Sequence, residues 1–321
     1  MNFSSQSLPP VIAIAGPTAV GKSALALALW REFESGFGGW SGAELVNVDS
    51  AQIYRGMDIG TAKPDAETQA VVRHHLIDIL DPAEAYSAAR FADDASAVIA
   101  DIRQRGKAPI LVGGTMFYFR ALFEGLNELP SADPVIRAEL EAEAERDGPL
   151  AQHARLAAID PATAARLHPN DRQRVQRALE IHALNGRAPS QMFAAPKPTS
   201  RVAAPYHRFA LMPKSREGLN QAIAARFRAM LEGGLVEEVR SLHARGDLNL
   251  EMPSVRAVGY RQLWRYLDGD CTLAEAETLG VVATRQYAKR QLTWLRGDTA
   301  WQQLSQTEPF PPIKVLKEAI A

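Results

Sequence analysis

Eight consecutive residues, Gly16, Pro17, Thr18, Ala19, Val20, Gly21, Lys22 and Ser23, carry the spacing G-x-x-x-x-G-K-[ST]. Glycines at those positions let successive backbone N–H groups curl around phosphate oxygens, and a following helix presents its positive N-terminus to them. Lys22 adds a point charge, and Ser23 a hydroxyl able to join the coordination of Mg2+. A glycine turn with no ligand would need no such context. Here an apolar run precedes the pattern and a strong helix former, Ala24–Trp30, follows it. The pattern names a bound phosphate chain and no reaction.

Two more clusters fall where a sheet would bring them beside this loop. Asp49 closes the stretch Glu44-Leu-Val-Asn-Val-Asp49. Ligands of open α/β sheets bind in the crevice at the C-terminal strand ends, so Asp49 should face the same crevice as Lys22. Three roles fit it: a general base, a carboxylate holding Mg2+ through water, or a cap for the next turn. The second cluster is Leu111-Val-Gly-Gly-Thr115. Gly113 and Gly114 permit close backbone approach, and Thr115 reads either as an N-cap or as a ligand group in the crevice.

The elements that position these residues follow from the apolar pattern. Val11–Ala15, Glu44–Asp49, His74–Leu80 and Pro109–Val112 are short apolar runs of the buried-strand kind, and Ala88–Gln104 is helical between the last two. The alternation predicts an α/β fold, a P-loop NTPase-like parallel sheet flanked by helices. The character changes near Pro130-Ser-Ala-Asp-Pro134: an acid-rich stretch, 139–147, reads as a solvent-facing helix, and Ala162–Asn185 as a basic one. A link rich in proline and serine, Ala188–Pro205, closes this part, and Phe209–Met212 resumes the sheet before long helices over most of 215–296. Residues 1–129 and 201–321 are therefore expected to form the core, with 130–200 as a helical insertion.

Composition narrows the classes. Of 321 residues, 46% are hydrophobic and 23% charged, which is globular, and no apolar run approaches the ~20 residues of a membrane span. The start, MNFSSQSLPP, is unlike a signal peptide. The expectation is a cytoplasmic monomer with no membrane partner. Cys271 is the only cysteine, so no internal disulfide forms, and the adjacent His74 and His75 are assigned no metal. A net charge of −1 is low for a nucleic-acid binder, but a groove needs only local charge. Three stretches supply it. One is Arg166, Arg172, Arg174 and Arg177; another is Arg285, Lys289, Arg290 and Arg296; the third is Arg256, Arg261 and Arg265, interleaved with Tyr260 and Trp264. Each alone is an ordinary solvated helix face; the three together, with aromatics, favour RNA phosphate contact.

The blocks GPTAVGKS, DSAQIYRGMDIGTAKP, VGGTMFYFRAL, LHPNDRQRVQRALEI, RAVGYRQLW and ATRQYAKRQLTWLR, in this order, closely resemble the bacterial tRNA dimethylallyltransferase family over roughly 11–296. The resemblance implies a phosphate loop, Gly16–Ser23, that grips the diphosphate of dimethylallyl diphosphate, with Mg2+, instead of ATP. It implies that the acceptor is N6 of the adenosine at tRNA position 37, 3′ of the anticodon, and the products N6-dimethylallyladenosine and diphosphate. Asp49 then corresponds to the catalytic aspartate beside the adenine amine, Thr115 to the threonine of the reaction centre, and Arg226 to an arginine near the diphosphate. Segments matching tRNA contacts are Asp49, Ser50, Ala51 and Gln52; Gln173, Arg174, Val175, Gln176 and Arg177; and Arg256, Ala257, Val258, Gly259, Tyr260 and Arg261, with Thr115 and Arg137 in addition. The insertion would clasp the anticodon loop. Two blocks depart from the family's usual wording, Arg31–Ala43 and Tyr86–Phe91, and neither belongs to the proposed centre.

Two other readings use the same residues. A small-molecule or nucleoside kinase would employ Asp49 as base and Arg172, Arg174 and Arg177 as a phosphate lid. A non-catalytic RNA-binding ATPase would bind tRNA without altering it.

Overall fold

The five apolar residues of β1 (Val11–Ala15) are all fully buried, which only a central strand flanked on both edges allows. In this computed structural model, which describes residues 8–127, 129–194, 200–306 and 312–320, β1 leads through the glycine loop into α1 (Lys22–Glu34). Leu25, Leu29 and Phe33, one helical turn apart, bury the face of α1 that packs on the sheet. Next come β2 (Ala43–Val48), α2 (Ala66–Val71), β3 (His74–His75), α3 (Ala88–Gln104), β4 (Ala108–Gly113) and α4 (Met116–Glu124). Ser87 caps α3 by accepting from the Arg90 N–H, and Phe91, Ala95, Ile99 and Ile102 form its buried stripe.

The chain divides into two compact units, one of 1–123 with 200–321 and the other of 124–199. The smaller unit contains α5 (Pro134–Asp147), α6 (Pro149–Ile159), α7 (Pro161–Ala164), α8 (Arg172–Asn185) and α9 (Pro189–Ala194) around its own apolar centre of Leu140, Leu156, Val175 and Leu179. The larger unit resumes with β5 (Tyr206–Met212), α10 (Arg216–Glu232), α11 (Leu235–His243), α12 (Tyr260–Leu267), α13 (Leu273–Gly297), β6 (Gln302–Ser305) and α14 (Ile313–Ile320).

The six strands form one sheet in the order β3-β2-β4-β1-β5-β6, every neighbouring pair parallel. The P-loop NTPase-like arrangement expected from the alternation is thus present, and it sets the C-terminal ends of β1, β2 and β4 side by side. A second apolar cluster, Ile53, Tyr54, Leu235, Val239, Leu263 and Trp264, ties the segment after β2 to α11 and α12. Among the described residues no helix is long and apolar enough to cross a membrane.

Two local expectations are corrected. The strand expected over His74–Leu80 joins the sheet at His74 and His75, and Leu80 makes an isolated parallel bridge to Tyr54. Leu76 and Asp78 take φ of 60° and 55°, a left-handed conformation no ladder accommodates. Asn47 Nδ2 donates to the Leu76 carbonyl at 2.9 Å, and Lys63 Nζ to Asp78 at 2.5 Å, holding that conformation. The link expected over Ala188–Pro205 begins with α9, which starts on Pro189, where a missing N–H and a preset φ suit the first helical turn. Residues 195–199 of that link, and residues 1–7, lie outside the described residues.

Candidate active site

The glycine loop is shaped by left-handed residues: Ala19 has φ 63° and Gly21 φ 95°. Gly16 is required by space, since a Cβ there would lie 2.8 Å from the Leu211 carbonyl of β5 and 2.9 Å from Val20 Cγ1. Val20 itself is buried in the core between sheet and helix. Gly21 caps α1 without any side-chain hydrogen bond, so the first N–H groups of that helix remain available to an anion. Lys22 Nζ donates to the Pro17 carbonyl at 2.8 Å. Burial lowers the Lys22 pKa to about 8; the Asp49 charge opposes that shift and the Arg226 charge adds to it. Lys22, Asp49 and Arg226 therefore share one electrostatic neighbourhood, although α10, which carries Arg226, lies about two hundred positions from the loop.

Asp49 directly follows β2. Its Oδ1 accepts from the Ala51 N–H at 2.9 Å, so the capping role is real, and it coexists with an exposure to the crevice. Thr115 follows β4 and does not cap α4 with its side chain: Oγ1 accepts from the Ser50 N–H at 3.0 Å and tethers the end of β4 to the end of β2. Gly113 makes this approach feasible, because a Cβ would sit 2.0 Å from the Val48 carbonyl oxygen.

Two residues of α13 complete the group, and the sequence reading did not select them. Tyr287 lies within hydrogen-bonding reach of Thr115 and Gln291, and burial, with the Asp49 charge, pushes its hydroxyl pKa far up. Gln291, one turn later, is 4% exposed; its Oε1 accepts from the Thr18 N–H at 2.9 Å and its Nε2 donates to the Gly114 carbonyl at 2.8 Å. A polar pair four residues apart on a face otherwise buried through Ala288, Leu292 and Leu295 was the available signal.

Lys22, Asp49, Arg226, Tyr287 and Gln291 line two hollows, and Thr115 lines neither. One, of about 410 Å3, is bounded by Lys22, Ser23, Asn47, Gln52 and Gly113. The other, of about 340 Å3, is bounded by Ser50, Ala51, Phe227, Arg256, Ala257, Val258 and Gly259. Thr18, Asp49, Thr61, Arg226 and Tyr287 line both and form the neck between them. A phosphate cradle on one side of a carboxylate and a partly apolar chamber on the other suit a two-substrate transfer. The model that describes the IPP transferase family matches residues 52–298.

The chain belongs to this family.

Its likeness to IPP transferases extends past those bounds. A tRNA dimethylallyltransferase of Halorhodospira halophila is 58% identical over 290 residues, covering 90% of this chain and 91% of that protein. The crystal structure of the full-length tRNA isopentenylpyrophosphate transferase of Bacillus halodurans superposes with a TM-score of 0.68 at 39% identity, covering 97% of this chain and 95% of that one. A eukaryotic dimethylallyltransferase acting on tRNA gives a TM-score of 0.76 at 29% identity, over 98% of this chain and 78% of that chain.

The remaining residues singled out from the sequence of this IPP transferase fall into two sets. In the larger unit, Arg256 to Gly259 wall the second hollow and Arg261 is exposed beyond it. Tyr260 lines the same hollow; it is 1% exposed, and its hydroxyl donates to Glu238 Oε1 at 2.5 Å. In the smaller unit, Gln173 and Arg174 are exposed at the start of α8, and Gln176 Nε2 donates to the Arg137 carbonyl at 3.3 Å. Arg137 and Arg177 both bind the buried Glu180, at 3.0 and 2.6 Å, so their charge is partly committed within the unit. Val175 is buried in that unit's apolar centre, which removes its side chain from any surface contact.

Proposed function

We propose that this chain transfers the dimethylallyl group of dimethylallyl diphosphate to N6 of the adenosine at position 37 of tRNAs reading U-starting codons. The products are N6-dimethylallyladenosine and diphosphate. The observation that carries this reading is the neck: Asp49 stands between a hollow bounded by the phosphate loop and a hollow bounded by Arg256–Gly259.

The chemistry asks for little more. An adenine amine is a weak nucleophile because its lone pair is delocalised into the ring, whereas an allylic carbon is a good electrophile once diphosphate departs. Asp49 orients the amine and accepts its proton as the N6–C bond forms and the allylic C–O bond breaks. The bonding pair leaves with the diphosphate, whose growing charge meets Lys22, the N–H groups of Ala19 to Ser23, and Arg226. Thr115 holds the two strand ends in register through Ser50, and Tyr287, protonated at working pH, closes the neck and helps exclude water from a cation-like carbon.

The donor set fits Mg2+: Ser23 offers a hydroxyl and Asp49 a carboxylate in the same hollow. Among the described residues no group of three or more histidines, cysteines or acids stands ready to cage a metal. That suits an ion that takes few protein ligands and completes its shell with phosphate oxygens and water. When bound, Mg2+ would supply charge neutralisation on the diphosphate.

A stacked base cannot reach Asp49, and extruding one costs a few kcal/mol, least where it is already unpaired. We assign that work to the unit of residues 124–199, clasping the anticodon loop through Gln173, Arg174 and their neighbours. A groove of about 630 Å3 lined by Lys214, Arg216, Arg285, Lys289 and Arg296, with no acid on its walls, supports RNA phosphate contact by the larger unit.

The test is incorporation. With Mg2+, unmodified tRNA and labelled dimethylallyl diphosphate, label enters the RNA at one adenosine. ATP turnover with a small acceptor and no label in RNA would establish the kinase reading instead, and tRNA binding without covalent change the RNA-binding ATPase.

A further inference from the structure

Glu180 of α8 is 1% exposed, yet it stands at the junction of two arginines and the entry to the smaller unit. Its Oε1 accepts from the Asp133 N–H at 2.9 Å and from Arg137 Nε at 3.0 Å, and its Oε2 from Arg177 Nη1 at 2.6 Å. Arg177 Nη2 donates in turn to the Pro130 carbonyl at 2.6 Å. Burial would raise the Glu180 pKa, but the bonds from Arg177, the Asp133 N–H and Arg137 hold it below its ordinary value, so the carboxylate is charged at neutral pH. A buried charge needs a partner, and a single arginine would neutralise this one.

Two arginines share it instead, which leaves the three side chains a net cation. The arginine side chains are 49% and 31% exposed. Arg137 turns its Nε edge to Glu180, and Arg177 uses one hydrogen from each Nη. Among the described residues nothing bonds Arg137 Nη1 or Arg177 Nε. Gln176 Nε2, donating to the Arg137 carbonyl at 3.3 Å, holds the backbone beneath Arg137 to α8 as well. Arg174, one turn before Arg177, is exposed and pairs with Asp171 at 3.4 Å. A free arginine gives up rotamers when it binds a phosphate oxygen. Arg137 and Arg177 have given theirs up already, and each still has donors for a ligand.

We propose that Glu180 is a positioning residue for tRNA binding, presetting Arg137 and Arg177 as a rigid pair of phosphate-binding forks on the smaller unit. The proposal rests on the transferase reading above, in which that unit clasps the anticodon loop. Glu180, being buried, touches no RNA. Two roles for this carboxylate predict opposite signs. If it only neutralises charge, removing that charge makes the unit more cationic and tightens RNA binding. If it positions the arginines, removing it frees them and weakens binding. In Glu180→Gln the amide oxygen can still serve Arg137 and the Asp133 N–H, while the NH2 meets Arg177 Nη1, donor against donor.

The experiment measures affinity for unmodified tRNA over a range of salt. The proteins are wild type, Glu180→Gln, Glu180→Asp, Arg177→Ala and the Glu180→Gln/Arg177→Ala double variant. Glu180→Gln should bind about 3- to 10-fold more weakly, the cost of ordering one rotamer-rich side chain. Its salt slope should be shallower by about 0.7, the share of one single-stranded phosphate contact. Glu180→Asp keeps the charge but withdraws the carboxylate by one methylene, and should weaken binding likewise. Because the donor clash needs Arg177, the double variant should bind within about 2-fold of Arg177→Ala. A carboxylate that merely braced the fold would add its cost there too. In steady state the KM for tRNA should rise, with kcat and the KM for dimethylallyl diphosphate unchanged. Tighter or unchanged binding by Glu180→Gln, or losses that add in the double variant, would overturn the proposal. If Glu180→Gln does not fold, Glu180→Asp carries the test, and wild-type affinity in that variant would overturn it. Wild-type label transfer is run alongside: its failure would remove the transferase reading, whereas normal transfer with unchanged affinity in the Glu180 variants would remove only the role of Glu180.

Discussion

Gln291 and Thr18, 273 positions apart in the chain, share a hydrogen bond of 2.9 Å, and the other end of the same amide holds the Gly114 carbonyl. One buried side chain of α13 thus fixes the phosphate loop against the segment that carries Thr115. Replacing it with leucine would strand a half-buried N–H and a buried carbonyl, the latter at a cost of about 1–3 kcal/mol. Gln291→Leu should lower the melting temperature by several degrees and raise the KM for the diphosphate substrate more than that for RNA. Scanning calorimetry and steady-state kinetics read both.

Gly113→Ala tests the approach of β4 to β2. With the new Cβ 2.0 Å from the Val48 oxygen, backbone must move, and overpacking of this kind costs about 1–3 kcal/mol or more. Thermal stability should fall, and the bond from the Ser50 N–H to Thr115 Oγ1 should weaken, seen as faster amide exchange at Ser50.

The pH dependence follows from Lys22. Its pKa in the free protein is lowered to about 8 from 10.5, so its charge is present below pH 8 and is lost as pH rises through it. The kcat/KM for dimethylallyl diphosphate should therefore fall above about pH 8, and Lys22→Arg should move that limb to higher pH. The contribution to folding has the opposite sign. A charge disfavoured by burial costs stability below pH 8, and that cost is relieved between about 8 and 10.5. Activity and the Lys22 part of stability should diverge over that interval, in matched pH titrations of rate and of melting temperature.

The centre of the sheet was legible because Val11–Ala15 is apolar without interruption and is followed by a loop whose spacing has one physical use. Asp49 was legible because a strand end in a parallel sheet faces the crevice. Tyr287 and Gln291 were not: inside a 25-residue helix their importance comes from what folds against them, and the phosphate loop is encoded far away. Tyr260 was legible in part. An aromatic between arginines reads as part of an RNA contact, and Tyr260 does line the second hollow, but its packing against Gly60 and its bond to Glu238 come from segments far away in the chain. His74–Leu80 alternates like a strand, but two residues at positive φ end the ladder after His75. Val175 belongs to the same lesson, since a basic helix still needs one apolar face for its own core.

The account depends on Asp49 as the group that receives the amine proton, and single-turnover transfer by Asp49→Asn measures that directly. Asparagine keeps an oxygen for the Ala51 N–H but accepts no proton. The rate of label transfer from dimethylallyl diphosphate to tRNA should drop ~10² or more, with tRNA affinity nearly intact. Transfer at the wild-type rate, with tRNA bound as before, would contradict it.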